Sequence, residues 1–165
     1  MYVEVKILGL TVDSSSNTPV LILQSISGTD ILSIWIGLIE AASIVSALQN
    51  KVFERPMTHD LFKQFVDYLN IRVSKIEVTD LVSNTYYGRI HFATGDHSFS
   101  LEARPSDAIA MAIRYNAPIF VAQDVFDKIE KGNDAYEMMD KSERGKQWAK
   151  ILEEMDPDQF GKYKI

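Results

Sequence analysis

The sequence predicts an α+β domain with mixed, mostly antiparallel β-sheet, packed helices and a helical C-terminal extension. Three observations lead to this fold class. Apolar and polar residues alternate along several short segments, turn-rich stretches separate these segments, and small-residue stretches carry apolar residues at helical spacing. The 165 residues contain no Gly/Ser-rich linker. We therefore expect one compact domain at residues 1–128 and an extension at residues 129–165.

The N-terminal half predicts a three-stranded meander followed by two helices. YVEVKILGLTV, PVLILQSI and ILSIWIG have strand character, and the turn-rich DSSSNTP and SGTD separate them. Helices are expected over residues 38–53 and 61–70 because apolar residues recur there at intervals of three and four. In the second helix the residues expected to face the core are Leu61, Phe62, Phe65, Val66 and Leu69.

The second half predicts another meander and a helix of small residues. RVSKIEVTDL, TYYGRIHFA and HSFSLEA read as strands, with TGD as a hairpin turn between the last two. A helix is expected from about Asp107 to Tyr115, with Asn116 ending it. PIFVA predicts a short strand and DVFDKIEK a short helix. In the extension, SERGKQWAKILEEM predicts an amphipathic helix with Trp148, Ile151, Leu152 and Met155 on one stripe.

A weak internal repeat relates the two halves at an offset of 67 residues, which is 95 minus 28. This offset pairs Gly28 with Gly95 and Glu40 with Asp107. A repeated unit of strand and small-residue helix is one interpretation. Chance is the other, because acidic residues at helix starts are favoured by the helix dipole alone.

Composition and charge restrict the class of protein. The formal net charge of −6 argues against a simple DNA-binding module, which usually carries a basic surface. An acidic protein can still act on phosphates when a metal ion supplies the positive charge. The absence of cysteine excludes disulfides, zinc–thiolate sites and cysteine nucleophiles. No segment has the pattern of a secretory leader or a membrane span, so we expect a cytoplasmic protein without membrane contact.

The stretch ARPSDAIAMAIR joins a strand to a helix and is the first candidate site. Pro105 ends the strand at Arg104, Ser106 is a good N-cap, and Asp107 suits the first turn. Capping alone explains Ser106 and Asp107. Arg104 next to helix N–H groups also suits binding of a phosphate or carboxylate.

The stretch ERPMTHD presents a second Arg-Pro joint, with Thr58 as the expected N-cap. His59 is either a surface residue or a group for proton transfer or metal binding, and Asp60 a metal ligand or an orienting group. Glu40 stands among apolar residues. It is either the polar edge of its helix or a buried charge that needs Arg55 or Arg104 as its counter-ion.

Four stretches in this order resemble the bifunctional nuclease (BFN-type) domain: IWIGLIEAASIV, RPMTHDL, TYYGRIHF and LEARPSDAIAMAIRYNAPIFV. The resemblance covers roughly residues 1–128 and implies a compact α+β domain with nuclease activity on DNA and RNA. The positions that match the family pattern are Glu40, Arg55, Pro56, Thr58, His59, Asp60, Arg104, Pro105, Ser106 and Asp107.

The resulting hypothesis is a metal-assisted nuclease. Mg²⁺ or Mn²⁺ would be bound by carboxylates, and a histidine would transfer a proton. The expected catalytic residues are His59, Asp60, Asp107 and Glu40, with metal at Glu40, Asp60 and Asp107. The expected substrate-binding residues are Arg55, Arg104, Thr58 and Ser106.

The alternative is a non-catalytic regulatory or protein-interaction domain that binds an anionic ligand or a partner. The acidic charge and the capping explanation of both joints favour it. A homo-oligomer is compatible with either function.

Overall fold

A computed structural model describes residues 1–131 of the chain, which form seven strands and four helices. The strands are β1 (Tyr2–Asp13), β2 (Thr18–Ser25), β3 (Ile31–Trp35), β4 (Arg72–Val82), β5 (Thr85–Thr94), β6 (His97–Ala103) and β7 (Ile119–Ala122). The helices are α1 (Leu38–Leu48), α2 (Thr58–Tyr68), α3 (Pro105–Tyr115) and α4 (Gln123–Lys131).

All seven strands form one sheet in the order β3-β2-β1-β7-β4-β5-β6. Each half of the chain supplies a meander, and the short β7 joins them by pairing antiparallel with β1 and parallel with β4. Every other pair of neighbours is antiparallel. The predicted α+β class with a mostly antiparallel sheet is therefore confirmed.

The sheet is curved, because β5 contacts β3 although four strands separate them in the sheet order. The Tyr86 hydroxyl donates to the Ser33 carbonyl oxygen over 3.1 Å. Burial raises the pKa of Tyr86 to about 12. The curvature encloses a core of aliphatic residues from strands and helices, in which Ile44, Ile76 and Ile109 are fully buried. Burial of such side chains is the main stabilising contribution to the fold.

Several helix boundaries differ from the sequence prediction, and α2 spans Thr58–Tyr68 where residues 61–70 were expected. Helix α1 ends at Leu48, not near Phe53, because Asn50 adopts a left-handed conformation with φ of 52°. Helix α3 begins at Pro105, which is well suited to the first helical position, and ends at the left-handed Asn116 as predicted.

The prediction that α2 buries its apolar stripe is wrong. Val66 is buried, whereas the other four residues of that stripe, Leu61, Phe62, Phe65 and Leu69, are exposed. Helix α2 packs against α3 through its polar edge instead: the Tyr115 hydroxyl donates to the Lys63 carbonyl and to Asp67 Oδ1. Helical periodicity shows that α2 is amphipathic without showing what covers its apolar side.

Some predictions concern features that the described residues do not decide. The helix predicted over residues 142–155 lies outside them. Both meanders precede a helix, but the residue-by-residue repeat at an offset of 67 is not confirmed and stays a prediction. None of the helices in residues 1–131 is long and apolar enough to span a bilayer.

A buried carboxylate stabilises the turn between β1 and β2. Asp13 accepts hydrogen bonds from the Ser16 hydroxyl at 2.6 Å, from the Ser15 amide and hydroxyl at 3.0 Å, and from Trp35 Nε1 at 3.3 Å. These bonds, that from Ser16 first, lower the pKa of Asp13 to about 2. The ionised form is therefore the one that the folded state prefers.

Replacing Asp13 by alanine is expected to lower the free energy of unfolding at pH 7 by about 1–3 kcal/mol. Because the folded pKa lies below the unfolded one, the contribution is present above pH 4 and lost as the pH falls through about 2. Urea unfolding of the unmodified protein and of Asp13→Ala, at pH 7 and near pH 2, measures this difference in free energy. The matched change Asp30→Ala removes a half-buried carboxylate that accepts a hydrogen bond from the Thr29 hydroxyl at 2.7 Å, and an equal loss in both variants would contradict this account.

Candidate functional site

The first turns of three helices meet at one place on the surface. Glu40 lies in the first turn of α1, His59 in that of α2 and Asp107 in that of α3. Arg104, the residue directly before α3, connects the first and the third. These four residues were all predicted as site residues from the sequence, and the fold brings them together although they are up to 67 positions apart, which is 107 minus 40.

Arg104 holds two carboxylates with one guanidinium group. Its Nη1 lies 2.9 Å from Glu40 Oε1, and its Nε and Nη2 donate to Asp107 Oδ2 and Oδ1 at 2.7 and 3.1 Å. The bonds to Asp107 raise the pKa of Arg104 above its already high usual value. The arginine side chain is nevertheless 66% exposed, so the same guanidinium also faces solvent.

His59 continues the network on the other side of Asp107. Its Nε2 lies 3.0 Å from Asp107 Oδ1 and its Nδ1 2.8 Å from Ser43 Oγ. Partial burial alone would raise the pKa of Asp107, but the hydrogen bonds from Arg104 and His59 outweigh burial and lower it. An ionised carboxylate only accepts hydrogen bonds, so Nε2 carries the proton of a neutral His59. The Ser43 hydroxyl then donates to the bare Nδ1.

Arg114 extends the network from Ser43 into the space between the helices. Its Nη2 donates to Ser43 Oγ at 3.3 Å, its Nη1 to the Ala110 carbonyl at 3.0 Å, and its Nε to Asp60 Oδ1 at 2.7 Å. The Arg114 side chain is only 6% exposed. A continuous chain of polar contacts thus links Glu40 in α1 to Asp60 in α2 through residues of all three helices.

Two glycines allow the groups of the site to approach this closely. A Cβ atom on Gly88 of β5 would lie 2.9 Å from the Ala103 carbonyl oxygen and 3.2 Å from Pro105 Cα, so glycine lets the joint before α3 pack onto the sheet. A Cβ on Gly37 would overlap Glu40 Oε2, so glycine leaves room for that carboxylate to fold back towards the helix start. The two glycines therefore allow Arg104 to lie within hydrogen-bonding distance of Glu40 and Asp107.

The remaining predicted site residues lie outside this network. Arg55 and Thr58 are exposed, and neither forms an ion pair or side-chain hydrogen bond with the described residues. Ser106 is 7% exposed and leaves little surface for a ligand. Both capping predictions are wrong: the N-cap of α2 is Met57 and that of α3 is Arg104, one and two residues before the expected ones. The roles of these residues in substrate binding stay predictions.

The predicted set of three metal-binding carboxylates is not assembled in residues 1–131. Asp60 is directed to Arg114 and to the Met57 amide, and the described residues contain no group of three or more histidine, aspartate or glutamate side chains able to hold a metal ion. Glu40 and Asp107 remain as a pair of hard oxygen donors around Arg104. Mg²⁺ is commonly held by one or two carboxylates together with substrate phosphates, and this pair fits that pattern.

Ser43 and Arg114 are the two network residues that were not predicted from the sequence. Ser43 lies about one helical turn after Glu40 and Arg114 about two turns after Asp107, so each shares a helix face with a predicted residue. The sequence signal that could have indicated Ser43 and Arg114 was their helical spacing from Glu40 and Asp107. It is weak, because every helix has residues at those intervals.

Replacing Arg114 by methionine is expected to lower the free energy of unfolding by about 2–3 kcal/mol, because Asp60 and Ser43 lose the hydrogen bonds that Arg114 donates while the apolar stem is retained. Urea denaturation at pH 7 measures this. The matched change Arg72→Met removes an exposed guanidinium and should change stability by less than about 0.5 kcal/mol. Equal stability of the two variants would show that the buried contacts of Arg114 contribute nothing.

Several known proteins are similar to this chain in sequence. An uncharacterized protein of Mycobacterium tuberculosis is 37% identical over 122 residues, which are 74% of this chain and 73% of the relative. Bifunctional nuclease 1 of Oryza sativa subsp. japonica is 31% identical over 106 residues, 61% of this chain and 32% of the relative. Bifunctional nuclease 2 of Arabidopsis thaliana is 33% identical over 81 residues, 47% and 25% of the respective lengths.

The part of the chain that the family description covers includes every residue of the network. The bifunctional nuclease domain matches residues 21–133, about two thirds of the chain, and this range contains α1, α2 and α3 in full. The chain spans only about a third or less of the plant nucleases it resembles. The match over this range leads to one conclusion: the chain belongs to the bifunctional nuclease domain family.

Proposed function

We propose that the protein hydrolyses phosphodiester bonds in DNA and RNA at the network of Glu40, Arg104, Asp107 and His59. The observation that carries this proposal is the exposed Arg104 guanidinium, held by two carboxylates beside a histidine where three helices begin. Membership of the bifunctional nuclease domain family and the names of the plant relatives support the choice of substrate class.

Phosphate would bind at the outer side of Arg104. The N-cap residues of α1 and α3, Gly37 and Arg104, make no side-chain cap hydrogen bond, and helix N-termini favour anions. Arginine matches the geometry of phosphate and would hold it by two parallel hydrogen bonds. A phosphate that binds Arg104 competes with Glu40 and Asp107 for the same donors, and substrate binding would thereby release carboxylate oxygens.

Glu40 and Asp107 are the residues that would hold Mg²⁺ or Mn²⁺, which would neutralise phosphate charge and lower the pKa of a bound water. His59 would take a proton from the attacking water at Nδ1, once the Ser43 hydroxyl turns away from that nitrogen. Asp107 would stabilise the resulting imidazolium through its bond to Nε2. Arg104 would stabilise the negative charge that develops on the phosphate oxygens.

A non-catalytic domain that binds an anionic ligand is the second candidate. It is favoured by one observation: every charged group of the network already has a partner within the protein, and both ring nitrogens of His59 are engaged. This candidate predicts binding of oligonucleotides without cleavage. The nuclease proposal predicts cleavage that depends on His59 and Asp107.

His59→Ala and Asp107→Asn are each expected to lower kcat/KM for cleavage of single-stranded DNA and RNA by about 100-fold or more, because proton transfer and its orientation are lost. The assay uses labelled oligonucleotides with Mg²⁺, Mn²⁺ or EDTA. Asp96→Asn in the β5–β6 turn and His97→Ala at the start of β6 change exposed residues and serve as matched controls.

The controls should retain activity within about twofold of the unmodified protein, since surface changes away from the site have small effects. Circular dichroism verifies that each variant is folded. Unchanged cleavage in both His59→Ala and Asp107→Asn would refute the assignment of these residues. Oligonucleotide binding without any cleavage by the unmodified protein would favour the second candidate.

The two Arg-Pro joints allow a second comparison. Arg104→Lys keeps the positive charge but cannot bridge two carboxylates and a phosphate, so we expect a loss of about 10- to 100-fold in kcat/KM. Arg55→Lys tests the substrate-binding role predicted for the other joint. Because Arg55 is exposed and lies outside the network, we expect a change below about threefold, and a loss as large as that of Arg104→Lys would support the predicted role. Unchanged activity of Arg104→Lys would show that Arg104 contributes only its charge.

A further inference from the structure

Helix α2 carries an apolar stripe on the side opposite its contact with α3. Leu61, Phe62, Phe65 and Tyr68 recur at helical spacing, and all four are exposed. The helix is held to the domain by Val66, by polar contacts to Tyr115 and by the contact of Phe62 with the buried Phe92. The rest of the stripe is left exposed. An amphipathic helix normally buries its apolar side. Helix α2 instead exposes most of its apolar side to solvent.

The exposed stripe continues onto the sheet through three aromatic rings. Phe62 contacts Phe92 edge to face, with ring centroids 6.4 Å apart, and Phe92 stacks on Phe99 of β6 at 5.0 Å. Phe99 and Leu101 lie on the same side of β6 and are exposed. Together Leu61, Phe62, Phe65, Tyr68, Phe99 and Leu101 form one surface, called here the α2–β6 face.

The two edges of the sheet differ in how they are protected. At the β3 edge, Leu32 and Ile34 are buried and the Tyr86 hydroxyl bonds to the Ser33 carbonyl. At the β6 edge, no residue is buried, and within residues 1–131 the strand pairs only with β5. An open edge strand presents unpaired N–H and C=O groups that can pair with another strand. The β6 edge borders the α2–β6 face.

We propose that the α2–β6 face binds a second copy of this chain, with the two β6 strands paired antiparallel about a two-fold axis near Ser100. In this register Phe99 of one copy lies opposite Leu101 of the other, which is a favourable apolar cross-strand pair. A two-fold axis brings the same surface of both copies together, as in most homodimers. Helix α2 of each copy then packs its apolar stripe against the α2–β6 face of the other copy.

The exposed apolar area agrees with the size of a dimer interface. Taking about 150–250 Å² for a whole aromatic residue, the exposed fractions of the six side chains correspond to on the order of 700 Å². A standard interface buries roughly 800 Å² on each partner. Patches of this size on a soluble monomer usually mark a binding surface.

A second copy fits this face better than the chain's own C-terminal residues do. Pairing with β6 requires an extended segment, and the apolar residues Trp148, Ile151, Leu152 and Met155 recur at helical spacing in the sequence. Such a segment could cover the α2 stripe but would leave the backbone groups of β6 unpaired. A β6 strand from another copy satisfies both requirements at once.

The test compares two leucines of similar exposure in the full-length chain. Leu61 of the α2–β6 face is 58% exposed and Leu8 of β1, outside that face, is 53% exposed. Light scattering coupled to size-exclusion chromatography should give about twice the 18.7 kDa chain mass for the unmodified protein and for Leu8→Asp, and the monomer mass for Leu61→Asp. Leu101→Lys, on the other element of the face, should also give the monomer, as edge lysines oppose strand pairing.

Two independent outcomes would overturn the proposal. The first is a monomeric mass of the unmodified protein at a concentration on the order of 100 µM or more, which would exclude a stable dimer. That result would assign the face to another occupant, the chain's own C-terminal residues included. The second is a dimer that persists in folded Leu61→Asp and Leu101→Lys. Hydrogen exchange adds a local measurement: β6 amides should be protected in Leu8→Asp and exchange faster in Leu61→Asp.

Discussion

The bond between Arg104 and Asp107 is the interaction on which the arrangement of the site depends. Through Arg104 it reaches Glu40 in α1, and through Asp107 it reaches His59 in α2, so one ion pair at the start of α3 fixes the first turns of all three helices. The buried Arg114 makes a second connection between the same helices through Asp60. Folding and the geometry of the candidate site therefore share the same contacts.

These contacts explain how an acidic chain can belong to a family of nucleases. The net charge of −6 repels nucleic acid on average, but the field near a site is set by its nearest groups. Here those groups are an exposed arginine and two helix starts without side-chain caps. Glu40 and Asp107 neutralise Arg104 in the free protein. The proposed exchange of carboxylate for phosphate gives these acidic residues a function that net charge alone would not suggest.

The sequence was sufficient for the strands, the strand-to-helix joints and four of the residues that meet at the site, because alternation, Pro105 and Asn116 act locally. It did not indicate that Ser43 and Arg114 complete the network, since their contacts join helices distant in sequence. It also failed for the exposed stripe of α2, because an apolar stripe predicts burial without identifying the covering partner. The positions of the helix caps were wrong by one or two residues, a distance that local propensity does not resolve.

Nuclear magnetic resonance of the ring nitrogens of His59 tests the central claim most directly. For the neutral ring the account predicts the proton on Nε2, with Nδ1 accepting the Ser43 hydroxyl, and a shift of both signals when a single-stranded phosphorothioate oligonucleotide is added with Mg²⁺. The exposed His97 provides an internal control whose signals should not change in this titration. A ring protonated at Nδ1 instead, or His59 signals that stay constant while the oligonucleotide binds, would contradict the account.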